Sequence, residues 1–69
     1  MNTNIGGQIK KIRTQRGMTQ EDLARKADIS YVTLVKIEQG KSENPKIKTL
    51  HKIAKVLGVK VDTFLVKDV

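Results

Sequence analysis

Two short helical patterns joined by a three-residue turn constrain the fold of this chain more than any other feature. They occupy the run QEDLARKADISYVTLVKIEQ, residues 20–39, with Asp28, Ile29 and Ser30 between them. The inward face of the first pattern includes two small residues, Ala24 and Ala27, which let another helix approach closely. Because the turn is short, the two helices must cross steeply, and the second is left projecting from the surface.

The first part of the chain also has the spacing of amphipathic helices. Three residues at i, i+4 and i+7 share one face of a first helix: Ile5, Ile9 and Ile12. Gly17 can end this helix, because glycine adopts positive φ at little cost after a helix end. Thr19 and Asp22 have the spacing of a capping box, which predicts that the second helix begins after Thr19.

The remainder of the chain predicts three more helices. The third runs from about Tyr31 to Gln39 and stops at Gly40, while Asp28 in the turn before it tolerates a left-handed backbone. Asn44-Pro45 indicates the start of a fourth helix, with proline at its first position. The fourth helix ends at Gly58, and residues 61–66 form a short fifth. We therefore predict an all-α, compact five-helix domain over residues 1–69, with its core in residues 5–66.

The charge of the chain favours an anionic partner. Fourteen Lys and Arg residues stand against seven Asp and Glu, a formal net charge of +7 on 69 residues. Such a balance suits nucleic acid, a membrane surface or an acidic protein, and the charge alone does not choose among them. Tyr31 and Phe64 are the only aromatic residues. Because single-stranded nucleic acid stacks on several exposed rings, the composition favours double-stranded DNA.

Residue types argue against several other functions. The chain has no cysteine, which excludes disulfides and thiolate metal sites. His51 is the single histidine, so we expect no metal, no cofactor and no small-molecule ligand. The hydroxyl residues lack a base-and-orienter arrangement, so we expect no enzyme. Met1 to Asn4 do not resemble a signal peptide and no apolar run reaches membrane-spanning length, so we expect a cytoplasmic protein without a membrane partner.

Three stretches of the chain resemble the phage lambda-repressor-like family, also called the Xre family. They are IGGQIKKIRTQRGMTQEDLARKADIS, VTLVKIEQGK and NPKIKTLHKIAKVLGV, and they cover roughly Ile5 to Leu65. The spacing from RGMTQEDLA to IEQGK and LHKIAKVLGV is far more specific than a helix-turn-helix pattern alone. The resemblance implies a five-helix DNA-binding domain whose third helix reads bases in the major groove, the docking described for phage repressors.

The resemblance also implies roles for individual residues. Gln20, Gln39 and Lys41 correspond to positions at which the family contacts DNA phosphates. Four residues correspond to the base-reading and groove-edge positions: Ser30, Tyr31, Val32 and Lys36. Arg13 and Glu38 correspond to an ion pair between the first and third helices, which would orient the recognition helix.

Several of these side chains could have a role other than contact with a base. Lys36 pairs most naturally with O6 and N7 of guanine, and otherwise it is solvated or binds phosphate. Val32 and Val35 meet thymine methyls if they lie in a groove, or they pack under a neighbouring helix or loop. Tyr31 suits a phosphate, a base edge or a structural contact.

A single recognition helix covers too little sequence for genomic specificity. We therefore expect two copies to bind a palindrome whose half-sites lie about 34 Å apart. Phe64, Leu65 and Val66 are apolar beyond the needs of five short helices, and we expect them to form a symmetric dimer interface. The expected function is transcriptional regulation, with repression the more common outcome. Two alternatives remain: an antitoxin that binds its own promoter, and a basic module that meets an acidic protein or RNA.

Overall fold

Four α-helices and one 3-10 helix make up the part of the chain that the structure describes. The structure is a computed structural model, and it describes residues 4–41 and 45–65. In these ranges the elements are α1 (Ile5–Gln15), α2 (Gln20–Lys26), α3 (Tyr31–Glu38), α4 (Ile47–Leu57) and a 3-10 helix (Val61–Leu65), with no strand. The predicted all-α class is confirmed, but a fifth α-helix is not. A five-residue segment is too short to nucleate an α-helix, and short segments commonly take the 3-10 form instead.

Each α-helix is followed by a residue with a left-handed backbone, at the position that the sequence predicts for the end of the helix. Gly17, Asp28, Gly40 and Gly58 have φ values of 68°, 56°, 73° and 72°. In each case the N–H of the next residue donates to the carbonyl oxygen five positions earlier, the pattern of a Schellman cap. Asp28 is the only residue other than glycine with positive φ among residues 4–41 and 45–65. The turn between α2 and α3 therefore has the conformation that the sequence predicts.

Side-chain caps fix the starts of α1 and α2. Asn4 Oδ1 accepts from the N–H of Gly7 at 3.1 Å. The predicted capping box is present, since Thr19 Oγ1 accepts from the N–H of Asp22 at 3.0 Å and the N–H of Thr19 donates to Asp22 Oδ2 at 3.1 Å. The N–H of Thr19, followed by its hydroxyl, lowers the pKa of Asp22 below its ordinary value because both stabilise the ionised carboxylate.

The start of α4 differs from the prediction. The helix begins at Ile47 with Lys46 as its N-cap, so Pro45 precedes the helix instead of occupying its first position. Lys46 has an extended backbone, with φ −64° and ψ 139°, and the helix cannot include it. The prediction for Pro45 is therefore wrong by two positions. Asn44, the other half of the predicted start signal, lies outside the described residues.

One hydrophobic core joins the described elements. Helix α1 packs on α3 and the 3-10 helix, and α2 packs on α3 and α4. The largest fully buried side chains come from all five elements: Ile9, Leu23, Leu34, Leu50, Ile53, Leu57 and Phe64. Because Phe64 has no accessible surface in the single chain, its prediction as a dimer-interface residue is wrong. It fills the core beneath the 3-10 helix instead.

The backbones of α1 and α3 come unusually close at Gly6. A Cβ atom built on Gly6 would overlap the carbonyl oxygen of Ile37 and would lie 3.0 Å from the Cα of Glu38. Both obstacles are backbone atoms, which cannot rotate away as a side chain can. Glycine at this position therefore allows the start of α1 to pack directly against the end of α3. This contact determines how close the two helices lie.

Candidate nucleic-acid interface

A buried ion pair anchors the inner side of α3. Arg13 Nε donates to Glu38 Oε2 at 2.7 Å, and Arg13 Nη2 donates to Glu38 Oε1 at 3.0 Å. The two side chains are only 9% and 2% exposed. Arg13 Nη1 donates to the carbonyl oxygen of Met18 at 2.7 Å, so all three guanidinium nitrogens are engaged. The structure thus brings together the two residues of the predicted ion pair, in the strong two-point geometry of arginine with a carboxylate.

Gln20 joins this pair, a contact that the sequence analysis did not predict. Its Nε2 donates to Glu38 Oε1 at 3.1 Å. An ionised carboxylate only accepts hydrogen bonds, so this contact determines that the nitrogen of the amide faces Glu38. One of the two N–H groups of Gln20 is engaged by Glu38, and the other is left for a second acceptor. The network therefore connects α1, α2 and α3 through one carboxylate.

The outer side of α3 carries the residues predicted to read bases. Tyr31 and Val32 are 48% and 56% exposed, although both are large and largely apolar. Lys36 is exposed and lies one turn further along the helix, on the same side as Val32. Ser30 is the N-cap residue of α3, but its hydroxyl makes no capping hydrogen bond. All four of these residues are exposed, and together we call them the α3 outer face.

Val35 does not belong to that face. It is half-buried, whereas Val32 is exposed, so the two valines that the sequence could not separate have different surroundings. The buried side of α3 consists of Leu34 and Ile37, which are 0% and 3% exposed. Val35 lies at the boundary between these two sides.

The other predicted DNA contacts lie at the end of α3. Gln39 and Lys41 are both exposed on either side of Gly40. The backbone N–H of Lys41 donates to the carbonyl oxygen of Lys36 at 2.9 Å, which fixes the chain immediately after the helix. The structure thus places Gln39 and Lys41 next to the α3 outer face, with their side chains accessible.

The predicted dimer residues have three different outcomes. Phe64 is buried in the core, Leu65 is 40% exposed, and Val66 lies outside the described residues. Leu65 is one of four exposed large hydrophobic residues within residues 4–41 and 45–65, with Tyr31, Val32 and Ile47. Leu65 is therefore the predicted interface residue that the structure leaves available.

A second contact missed by the sequence analysis links the ends of α1 and α4. Arg16 Nε donates to the carbonyl oxygen of Leu57 at 2.8 Å, although the two residues are 41 positions apart. A free carbonyl at the end of α4 is a general need of helices, but nothing in the sequence indicates which donor meets it.

Other kinds of site find no support in the described part of the chain. Among residues 4–41 and 45–65, no group of three or more His, Cys, Asp or Glu side chains could hold a metal ion. None of the helices described above is both long enough and apolar enough to cross a lipid bilayer.

Comparison with known sequences and structures assigns the family. The sequence profile of a helix-turn-helix family matches residues 9–64, and the chain belongs to this family, which is of the lambda-repressor-like or Xre type. An HTH-type transcriptional regulator of Methanocaldococcus jannaschii, MJ0272, is 44% identical over 61 residues, which cover 87% of this chain and 91% of that protein. The HTH-type transcriptional regulator SinR of Bacillus subtilis is 39% identical over 88% of this chain, which spans 55% of SinR.

The fold agrees with solved structures of SinR. The N-terminal DNA-binding domain of SinR superposes with a TM-score of 0.90 at 36% identity, over 97% of both chains. A crystal structure of SinR in complex with DNA superposes with a TM-score of 0.87 at 39% identity, over 90% of this chain and 98% of that one. The family resemblance found in the sequence is thereby confirmed at the level of three-dimensional structure.

Proposed function

We propose that this chain is a transcriptional regulator that binds a specific double-stranded DNA sequence through the α3 outer face. The observation that carries the proposal is the exposure of Tyr31 and Val32, 48% and 56%, on a helix whose inner side is held by the buried Arg13–Glu38 pair. A rigid helix with exposed apolar residues suits a major groove, where thymine methyls are available. The DNA complex of SinR supports this use of the fold.

In the proposed complex, phosphate contacts fix the register and α3 supplies the specificity. Lys41 and Gln39 would contact phosphates next to the end of α3, and Gln20 would use its second amide N–H for the same purpose. Ser30, whose hydroxyl is not used as a helix cap, would contact the edge of the groove. Phosphate contacts carry no sequence information, so the discrimination between sequences rests on the α3 outer face.

We further propose that two copies bind a palindromic operator and repress transcription by occupying it. Two-fold symmetric half-sites about 34 Å apart would each receive one α3. Leu65, 40% exposed beside the buried Phe64, is the residue we assign to the contact between copies.

Selection from randomised duplexes followed by footprinting tests the proposed function. We expect enrichment of a palindrome and binding that prefers it over a random duplex at every salt concentration, while both affinities fall as salt rises. An equal loss for all sequences would refute specific binding and favour a basic module that meets acidic proteins or RNA. Sedimentation that shows one copy per palindrome would refute the dimer but leave the DNA-binding proposal intact.

Lys41 provides a more specific test of the proposed roles. Replacement of Lys41 by Ala should weaken binding to all duplexes by a similar factor and lower the slope of log K against log salt by about 1 per bound copy. Lys48, exposed on α4, is the control for charge, because its replacement removes the same charge from a residue of a different helix. Equal slopes for the two variants would contradict the phosphate contact of Lys41.

A further inference from the structure

The α3 outer face changes from apolar to cationic along its length. Tyr31 and Val32 occupy the first turn of the helix and are both about half exposed. Lys36 lies in the last turn and is the basic residue of α3. The intervening Val35 is half-buried and is not part of this face. From Tyr31 onwards, a duplex that meets α3 therefore meets an apolar contact first and a flexible hydrogen-bond donor one turn later, with the exposed hydroxyl residue Thr33 between them.

The chemistry of base edges gives each of these residues a different preference. A valine makes no hydrogen bond, and the apolar group that a base pair offers in the major groove is the C5 methyl of thymine. A lysine ammonium only donates, so it favours the two adjacent acceptors of guanine, O6 and N7, over adenine, where a donor lies beside N7. Val32 and Lys36 therefore select two different bases.

The helix geometry limits the distance between those bases. Four residues along an α-helix correspond to a rise of about 6 Å, and successive base pairs lie about 3.4 Å apart. The valine side chain is short and must lie against its base, whereas the lysine side chain is long and can reach a base pair on either side. The two bases consequently fall in one short stretch of the same half-site.

We propose that each operator half-site contains a thymine contacted by Val32 and a guanine contacted by Lys36, within about three base pairs of each other. This inference rests on the proposed DNA-binding function and adds the identity and spacing of the bases to it. It makes Val32 and Lys36 the specificity-determining residues of the interface. Tyr31, which can contact a phosphate as well as a base edge, is not needed for either preference.

Base analogues in a selected duplex test the proposal without changing the protein. Each thymine of one half-site is replaced in turn by deoxyuridine, which removes only the C5 methyl, and each guanine by 7-deazaguanine, which removes only the N7 acceptor. We expect one deoxyuridine position to weaken binding about fourfold, the effect of one buried methyl-sized group. We expect one 7-deazaguanine position to weaken binding about five- to tenfold.

The same duplexes are then bound by variants of the two residues. The deoxyuridine loss should disappear in Val32→Gly, which removes the whole side chain, and persist in Lys36→Ala, and the 7-deazaguanine loss should show the opposite pattern. Lys48→Ala controls for the lost charge and should show both losses. Circular dichroism melting of each variant confirms that it is folded at the assay temperature.

Three results would overturn the proposal. The first is a selected duplex in which every thymine tolerates deoxyuridine or every guanine tolerates 7-deazaguanine. The second is a loss that persists when its assigned side chain is removed. In both of these cases the protein still binds a specific sequence, so the proposed function stands and only the assignment of bases fails. The third is a selection that yields no preferred sequence, and this result would refute the proposed function as well.

Discussion

Substitution of Gly6 by alanine tests whether the close approach of α1 and α3 sets the stability of the domain. In an ordinary helix interior this change stabilises by about 0.5–1 kcal/mol, because glycine loses more backbone freedom on folding. Here the added methyl would overlap the carbonyl oxygen of Ile37 and crowd the Cα of Glu38 at 3.0 Å. The two helices would have to separate.

The expected net effect is a clear loss of stability. Overpacking a well-filled interior costs about 1–3 kcal/mol, and two rigid backbones place this site in the upper part of that range. After the gain in helix propensity, we expect Gly6→Ala to lower the free energy of unfolding by about 2 kcal/mol. For a domain of this size that corresponds to a decrease in Tm of about 8–16 °C.

Gly7 offers a matched control in the next position of the same helix. The three atoms nearest to a Cβ atom on Gly7 all belong to the side chain of Asn4, at 2.5–2.7 Å, and that side chain can rotate away. Loss of the Asn4 cap costs about 1 kcal/mol, which the higher helix propensity of alanine offsets, so Gly7→Ala should leave Tm nearly unchanged. Thermal melts by circular dichroism measure both variants. If Gly6→Ala melts at or above the temperature of Gly7→Ala, the reasoning from backbone contact is wrong.

Substitutions at three further positions test other parts of the structure. Asp28→Gly should raise the stability by about 0.5–1 kcal/mol, since φ is 56°, and Asp28→Ala should lower it; equal melting temperatures would contradict the strain. Glu38→Ala should lower Tm and DNA affinity together, by about 3–5 kcal/mol in stability, because it strands Arg13 in a buried position; an unchanged Tm would remove the orienting role. The pKa of Asp22 is lowered in the folded protein, so its ionised carboxylate stabilises the fold at pH values above the ordinary pKa of 3.8. This contribution is lost as the pH falls through the pKa of the folded state. The Tm difference between wild type and Asp22→Asn should thus be largest near neutral pH and vanish in acid, and a constant difference would contradict it.

Features that depend on neighbouring residues could be predicted from the sequence. Gly17, Asp28 and Gly40 end helices because positive φ is a local requirement that few residue types meet. The capping box of Thr19 and Asp22 depends on a separation of three positions. The ends of α1, α2 and α3 and the start of α2 were therefore predictable from the sequence.

Features that depend on distant residues could not be predicted in the same way. The need for glycine at Gly6 arises from a backbone carbonyl 31 positions away, at Ile37. The contacts of Gln20 with Glu38 and of Arg16 with Leu57 join residues 18 and 41 positions apart. In each case the residue type permits several partners, and only the packed fold selects one.

The wrong prediction of Phe64 as a dimer-interface residue has a different origin, namely the number of residues per turn in the last helix. In a 3-10 helix, residues three apart lie on the same side, so Val61 and Phe64 both face the core. Leu65, one position further on, then points away and is 40% exposed. The apolar composition of this segment was recognised correctly, but the side on which each residue lies depends on a helix type that composition does not indicate.

The position of Glu38 explains how so short a helix is presented rigidly. Helix α3 has eight residues, too few to be stable alone, and a negative charge in its last position is unfavourable to the helix dipole. Glu38 is nevertheless buried there and accepts three hydrogen bonds, two from Arg13 and one from Gln20. A buried ion pair contributes little net stability compared with apolar packing, but it tolerates only one geometry. We infer that this carboxylate serves chiefly to fix the orientation of α3 relative to α1 and α2, and therefore that changes in the network alter the binding of DNA even where the domain remains folded.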